Sequence, residues 1–262
     1  MSDDSNKQVI IIKIGSGVLA REEGAQLHHS MIARLVEAIA QINAAGHQPI
    51  IVSSGAVAAG LAAFDLDERP APDDIGMLQA CAAAGQARLM HAYENQFSNY
   101  GLKVAQILLT GDDLENERRR KNVHGTLSNL LRFPKVIPII NENDTVAVFE
   151  LKVGDNDHLS SDVAHLLDVD LLILLTAVPG LRGPDSTGPD DIIEEVSDIE
   201  SVMDFAKDEQ GKFSVGGMRT KLEAVKKAVD SGIETVIASG LNPEQLGELV
   251  EGKGVGTRFL AK

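Results

Sequence analysis

The chain has 262 residues, 44% of them apolar and only 3% aromatic, and its 39 acidic side chains outnumber 24 basic ones for a net charge of −15. Such a chain is globular and long enough to bury a large core, as one big α/β domain or two lobes sharing a sheet. Its negative field argues against nucleic acid and anionic membrane as partners, and the lack of tryptophan argues against base-stacking platforms.

Residues 9–14, Val-Ile-Ile-Ile-Lys-Ile, read as a strand buried on both faces, with Lys13 inside it and Gly15-Ser16-Gly17 at its end. A buried ammonium must meet an anion or its pKa falls, and the glycines let a bulky ligand approach and offer it N–H groups. A phosphate site fits this segment; so does a lysine snorkelling to water above an ordinary turn. His28-His29 reads as an exposed helix start, and 30–45 as a helix stopped by Gly46. Residues 49–52 form a second buried strand entering Ser53-Ser54-Gly55, which serves either a ligand or the cap of the small-residue helix 56–63. Residues 75–97 carry a helical pattern with a break at Gly85, in which Cys81 is a small buried residue.

The third strand is 103–109. After it, 110–120 reads as a loop and helix start, with Arg118-Arg119-Arg120-Lys121 on a solvated face. The fourth strand, 136–140, enters Asn141-Glu142-Asn143-Asp144, and 146–152 alternates as a hairpin arm would. A helix over 159–167, an apolar strand over 171–175 ending at Thr176, and a Gly/Pro/Asp-rich surface loop over 179–191 follow. The chain closes with a helix at 218–230, a strand at 235–238, a helix at 243–250 and a strand at 257–260. Alternation throughout predicts a largely parallel sheet with helices on both faces. Nothing resembles a free linker, so 1–262 reads as one domain, with lobes at about 1–168 and 169–262 on a continuous sheet.

Ligands bind such sheets at the carboxyl ends of the strands. Here those ends carry Lys13 to Gly17, Ser53-Ser54-Gly55, Asn141 to Asp144 and Thr176. Two helix starts add Gly154-Asp155-Asn156-Asp157 and Gly216-Gly217-Met218-Arg219-Thr220-Lys221. Each has a local explanation: a turn at 141–144, a cap at 155–157 for a helix beginning near His158, a glycine turn at 216–217. Their joint placement is the signal. Neither a Walker loop, a Gly-x-Gly-x-x-Gly nor a Gly-x-Ser-x-Gly elbow is present, which removes ordinary P-loop, Rossmann and hydrolase readings. A lone cysteine suits a reducing compartment, and the polar N-terminus lacks a signal-peptide core, so a cytoplasmic protein is expected.

These motifs, Lys13-Ile14-Gly15-Ser16-Gly17-Val18-Leu19, residues 52–60, Asn141-Glu142-Asn143-Asp144, Lys152-Val153-Gly154-Asp155-Asn156-Asp157 and Gly216 to Lys221, resemble in order those of the glutamate 5-kinases of the amino acid kinase superfamily. The resemblance runs from residue 9 to about 260. It implies a three-layer αβα sandwich of the carbamate kinase-like type and ATP-dependent phosphorylation of the γ-carboxylate of L-glutamate, the first step of proline synthesis. Lys13 and Lys221 would contact the transferring phosphoryl group, with Asp157 orienting them as the third member of the catalytic set. Ser54, Gly55, Asn141, Asp144, Asp155 and Asn156 would hold the amino acid. Lys13, Gly15, Ser16, Thr176, Ala177, Gly216, Gly217, Met218 and Lys221 would border the nucleotide.

ATP and Mg²⁺ are the implied cofactors, with no residue assigned to the metal. Proline as feedback inhibitor, a dimeric or tetrameric homo-oligomer and coupling to glutamyl phosphate reductase are further implications. The sequence departs from the family at Thr176-Ala177, where Thr-Asp is common, and at Ser214-Val215-Gly216-Gly217, where Gly-Thr-Gly-Gly is usual. It is also expected to lack the C-terminal PUA domain that many relatives carry. Two other readings stand beside this one. The first is a related kinase with another carboxylate, carbamate or phosphate acceptor. The second is a non-catalytic amino-acid sensor, against which the joint presence of Lys13, Asp157 and Lys221 argues.

Overall fold

The computed structural model describes residues 7–20, 27–147, 155–205 and 217–262. The strands are β1 (Val9–Ile14), β2 (Gln48–Ser53), β3 (Lys103–Leu109), β4 (Val136–Glu142), β5 (Leu171–Thr176), β6 (Glu195–Val196), β7 (Glu234–Ser239) and β8 (Gly256–Phe259). They form one sheet in the order β3-β4-β2-β1-β5-β7-β8-β6. Six neighbours from β3 to β7 run parallel, and β8 pairs antiparallel to β7. From β1 the chain adds β2, β4 and β3 on one side and the later strands on the other, so β1 lies at the seam of the two halves.

The helices are α1 (Ser16–Leu19), α2 (His29–Ala44), α3 (Ala56–Leu61), α4 (Ile75–Ser98), α5 (Gly111–Glu115), α6 (Glu117–Leu130), α7 (Asp155–Leu167), α8 (Met218–Asp230) and α9 (Leu246–Val250). Side chains alternate across a strand, so each core strand feeds two apolar layers. Ile10, Ile12 and Ile14 of β1 pack with α2, α3, α4 and α9 on one face. Ile11 lies with α6, α7 and α8 on the other, where Val9 also packs. The result is the expected three-layer sandwich. Period two puts Lys13 on the Ile11 face, toward α7 and α8.

Several boundaries differ from expectation. Gly85 does not break α4; the helix is continuous because this glycine is where α4 touches α3. A Cβ at Gly85 would lie 1.8 Å from the carbonyl oxygen of Ala56, and one at Gly60 1.8 Å from that of Cys81. The turn into α3 is capped by Gly55 at φ 99°, a left-handed conformation, and not by the preceding serines. Helix α6 extends well beyond the helix start expected at 110–120, because only Val123 and Leu127 of it are buried and its periodic signal is weak. Asn116 caps it by accepting from the Arg119 N–H, and Arg118, Arg119, Arg120 and Lys121 are exposed as expected. Helix α7 begins at Asp155 rather than near His158. The 179–191 loop is less superficial than its composition suggests: Leu181 is buried and its N–H donates to Thr257 Oγ1 at 2.8 Å. His28 starts α2, accepting from the Met31 N–H. Most of the expected hairpin arm at 146–152 lies outside the described residues.

Candidate active site

Lys13 is the fifth residue of β1, paired in register with Val52 of β2 and Leu174 of β5, so its backbone is held by ladders on both sides. Its ammonium meets Asp157 of α7: Lys13 Nζ lies 2.5 Å from Oδ1. Lys221, in the first turn of α8, places its Nζ 3.2 Å from Oδ2 of the same carboxylate. All three groups are buried, with 5%, 1% and 7% exposure for Lys13, Asp157 and Lys221. The cluster therefore carries a net buried charge of +1 inside a chain of net charge −15. Burial pushes the Lys13 ammonium below the ordinary lysine value, Asp157 only partly opposes this, and Lys221 reinforces it. For Asp157 burial alone would raise the pKa. The charges of Lys13 and Lys221 outweigh it and hold the carboxyl below the usual range.

A second cluster stands at the ends of β2 and β4. Asn156, one residue before Asp157, donates from Nδ2 to Asn141 Oδ1 at 3.0 Å and to Ser54 Oγ at 3.2 Å. Its Oδ1 accepts the Glu142 N–H at 3.2 Å. Asn141 Nδ2 donates to Gln86 Oε1 at 2.8 Å. The Asn141 to Asp144 segment thus divides between two tasks. Asn141 enters this network, whereas Asn143 closes a local turn, its carbonyl accepting from the Val146 and Ala147 N–H groups and its side chain from Thr145 Oγ1. Asp144 is half-buried, and Arg69 on the connection between α3 and α4 lies within reach of its charge.

The remaining expected residues fall on the other side of β1. Gly15 adjoins the lysine: a Cβ there would sit 3.7 Å from Lys13 Nζ and 3.2 Å from the Leu175 carbonyl oxygen. The glycine turn is expected to offer its N–H groups to a ligand; the Gly15 N–H instead donates to that carbonyl at 3.1 Å, extending the β1–β5 ladder. Ser16 begins α1, and a Cβ on Gly17 would lie 3.8 Å from Ala177. Thr176 ends β5, its carbonyl accepting the Gly240 N–H at 2.8 Å. Gly217 caps α8, and Met218 packs partly against the core. Gly216, with Ser214 and Val215, and the side chain of Asp155 lie outside the described residues.

Sequence reasoning missed Gln86 and Arg69. Gln86 belongs to the interior of helix α4 and Arg69 to the connection before it, and a lone Gln or Arg in such a place carries no spacing signal. Among the described residues, no helix is long and apolar enough to cross a membrane.

The sequence profile of the amino acid kinase family matches residues 8–239. Curated relatives include the glutamate 5-kinase of Geobacter sp. strain M21, 45% identical over 96% of this chain and 67% of its own length. Those of Geobacter sulfurreducens (47%, over 96% and 67%) and Salmonella paratyphi B (42%, over 98% and 70%) are also similar. The fold is shared with carbamate kinase from Giardia lamblia bound to AMP-PNP, at TM-score 0.66 and 15% identity over 98% of this chain and 99% of that one. It is shared too with isopentenyl phosphate kinase from T. acidophilum, at TM-score 0.64 and 15% identity over 96% and 99%. The paired lysines on one buried aspartate thus stand in a chain that belongs to the amino acid kinase family and, within it, to the glutamate 5-kinases.

Proposed function

We propose that this chain transfers the γ-phosphoryl group of ATP to the γ-carboxylate of L-glutamate, giving L-glutamyl 5-phosphate and ADP. The observation that carries the reading is the convergence of Lys13 and Lys221 on the two oxygens of Asp157. A side-chain carboxyl with an ordinary pKa of about 4.3 is already ionised at neutral pH, so the acceptor needs no general base. A carboxylate oxygen bonds to the γ-phosphorus as the bond to the β–γ bridging oxygen breaks, and ADP departs with that electron pair. Two anions must approach each other, so catalysis rests on alignment and charge neutralisation.

Lys13 and Lys221 supply that neutralisation, and Asp157 is the positioning residue that holds both ammonium groups in one place. Ser54, Gly55, Asn141, Asp144, Asp155 and Asn156 hold the amino acid. Gly15, Ser16, Thr176, Ala177, Gly216, Gly217 and Met218 border the nucleotide, so residues 1–168 serve chiefly the acceptor and 169–262 chiefly ATP. Mg²⁺ enters as part of the nucleotide substrate, with phosphate oxygens as ligands, the usual arrangement for this ion. On the same reading proline competes at the amino-acid site, the chain works as a homo-oligomer in the cytoplasm, and its labile acyl phosphate passes to glutamyl phosphate reductase.

The test is trapping with hydroxylamine in the presence of ATP, Mg²⁺ and L-glutamate. Glutamyl hydroxamate that requires all three is expected. Phosphate release without hydroxamate, or faster turnover with carbamate or N-acetylglutamate as acceptor, overturns the reading.

A further inference from the structure

Gln86 sits on α4 beside Gly85, the point of backbone contact with α3, so its side chain is held at the carboxyl edge of the sheet. The network it joins has a fixed polarity. The Glu142 N–H can only donate, so Asn156 must present Oδ1 to it and turn its NH₂ toward Ser54 and Asn141. Asn141 then accepts with Oδ1 and donates with Nδ2, which obliges Gln86 to face it with Oε1. The NH₂ of Gln86 is left at the end of the relay. It is shielded from water and has no hydrogen-bond partner among the described residues. Asp157 Oδ1, the other such buried side-chain atom among the described residues, faces the Lys13 ammonium instead.

A sealed amide donor without an acceptor is unfavourable, and it persists where a ligand supplies the missing group. Gln86 as a whole is only half-buried, and through Asn141 and Asn156 it is tied to the strand and helix ends that carry the candidate acceptor residues. A carboxylate oxygen is the acceptor best matched to an amide NH₂, since the bond is charge-assisted. Of the two carboxylates on glutamate, the γ group must face Lys13 and Lys221, and the anionic Asp144 suits the α-ammonium. The α-carboxylate remains for the neutral amides. We propose that Gln86 completes the acceptor subsite by donating from Nε2 to the α-carboxylate of the bound amino acid, and so selects for a free α-carboxylate. This rests on the glutamate-acceptor reading above.

The deciding variant is Gln86→Glu, which keeps an oxygen for Asn141 Nδ2 but replaces the donor with an acceptor. The KM for L-glutamate is expected to rise about tenfold or more, the size of one lost charge-assisted bond. The KM for Mg·ATP should stay within about twofold. Isoglutamine, whose α-carboxamide can donate to the new carboxylate, should gain about tenfold in kcat/KM relative to glutamate, a swap that a purely structural role would not produce. Gln86→Met should raise the glutamate KM without that swap, and decides the matter if the Glu variant does not fold. Wild-type glutamate KM in both variants, or unchanged discrimination between the two acceptors in Gln86→Glu, overturns the proposal. Failure of the acceptor reading is visible separately, as wild-type protein that forms no glutamyl hydroxamate.

Discussion

Lys13 and Lys221 share one buried carboxylate, whose charge lies against both ammonium groups. Removing Asp157 would leave two ammonium groups facing each other away from water, a situation that costs about 3–5 kcal/mol when a buried pair is broken. Asp157→Asn is therefore expected to lower the denaturant midpoint by that equivalent, with a fall in kcat because the two lysines separate. Asp157 is held below its ordinary value of 3.8. Its stabilising contribution is thus complete above about pH 4 and fades as the pH drops through the folded-state value, so the two proteins should converge in stability in that acid window. A variant as stable as wild type at pH 7 would contradict the ion-pair account. Lys13 behaves in the opposite sense. Burial disfavours its charged form, so it releases its proton at lower pH than an exposed lysine at 10.5. Titration of the lysine resonances by NMR, assigned with Lys13→Met, should place it below 10.5 in the free protein and higher once Mg·ATP supplies negative charge. A value at or above 10.5 without ligand would refute this.

At the scale of elements, the placement of Ser54, Gly55 and Gln86, the proposed acceptor side, depends on how closely α3 and α4 approach. Helix propensity alone would favour Gly85→Ala by about 1 kcal/mol. Sterics decide otherwise, because the added Cβ would sit 1.8 Å from the Ala56 carbonyl oxygen and 2.5 Å from the Gly60 nitrogen, both backbone atoms that no rotamer change can move. The helices must separate, and overpacking of this kind costs about 1–3 kcal/mol or more. The turn at Ser54-Gly55 leads α3, and Gln86 rides on α4, so the same substitution should also raise the glutamate KM more than that of ATP. A Gly85→Ala protein of wild-type stability would show that the contact yields more easily than its geometry suggests. The helix pair α7 and α8 would perform the corresponding task for the phosphoryl group on the proposed reading, each presenting its first turn to the end of β1 through Asp157 and Lys221.

For the whole molecule, the seam at β1 joins residues separated by more than 200 positions. On the proposed reading, a nucleotide bound there would bridge both halves of the sheet. A non-hydrolysable ATP analogue with Mg²⁺ at a hundred times its Kd should stabilise the fold by about 2.7 kcal/mol, since it binds the native state alone. For a chain of this size that corresponds to a rise of roughly 5–10 °C in Tm. The rise should shrink in Lys221→Ala. An unchanged Tm in the wild type would remove the nucleotide from the site. The surrounding field, at net −15, repels anionic substrates such as ATP and glutamate, so on the proposed reading their capture would depend on the local positive cluster rather than on long-range steering.

The order of elements, the parallel sheet and the glycine-marked strand ends were all legible in the sequence, because side-chain periodicity and turn chemistry are short-range. So were the candidate residues, each as a local oddity: a lysine in an apolar strand, acidic and amide residues at helix starts. Helix α6 and the two-residue β6 escaped, one for want of buried positions and the other for want of length. What sequence could not decide was which of several local explanations held. Only the tertiary structure could show that Lys13 and Lys221 meet at Asp157, that the Gly15 N–H is spent on Leu175, that Asn143 closes a turn while Asn141 does not, and that an unmarked glutamine ends the amide relay. Periodicity reports which face a residue occupies; proximity between distant segments is set by strand order and helix packing, and those emerge only when the whole chain has folded.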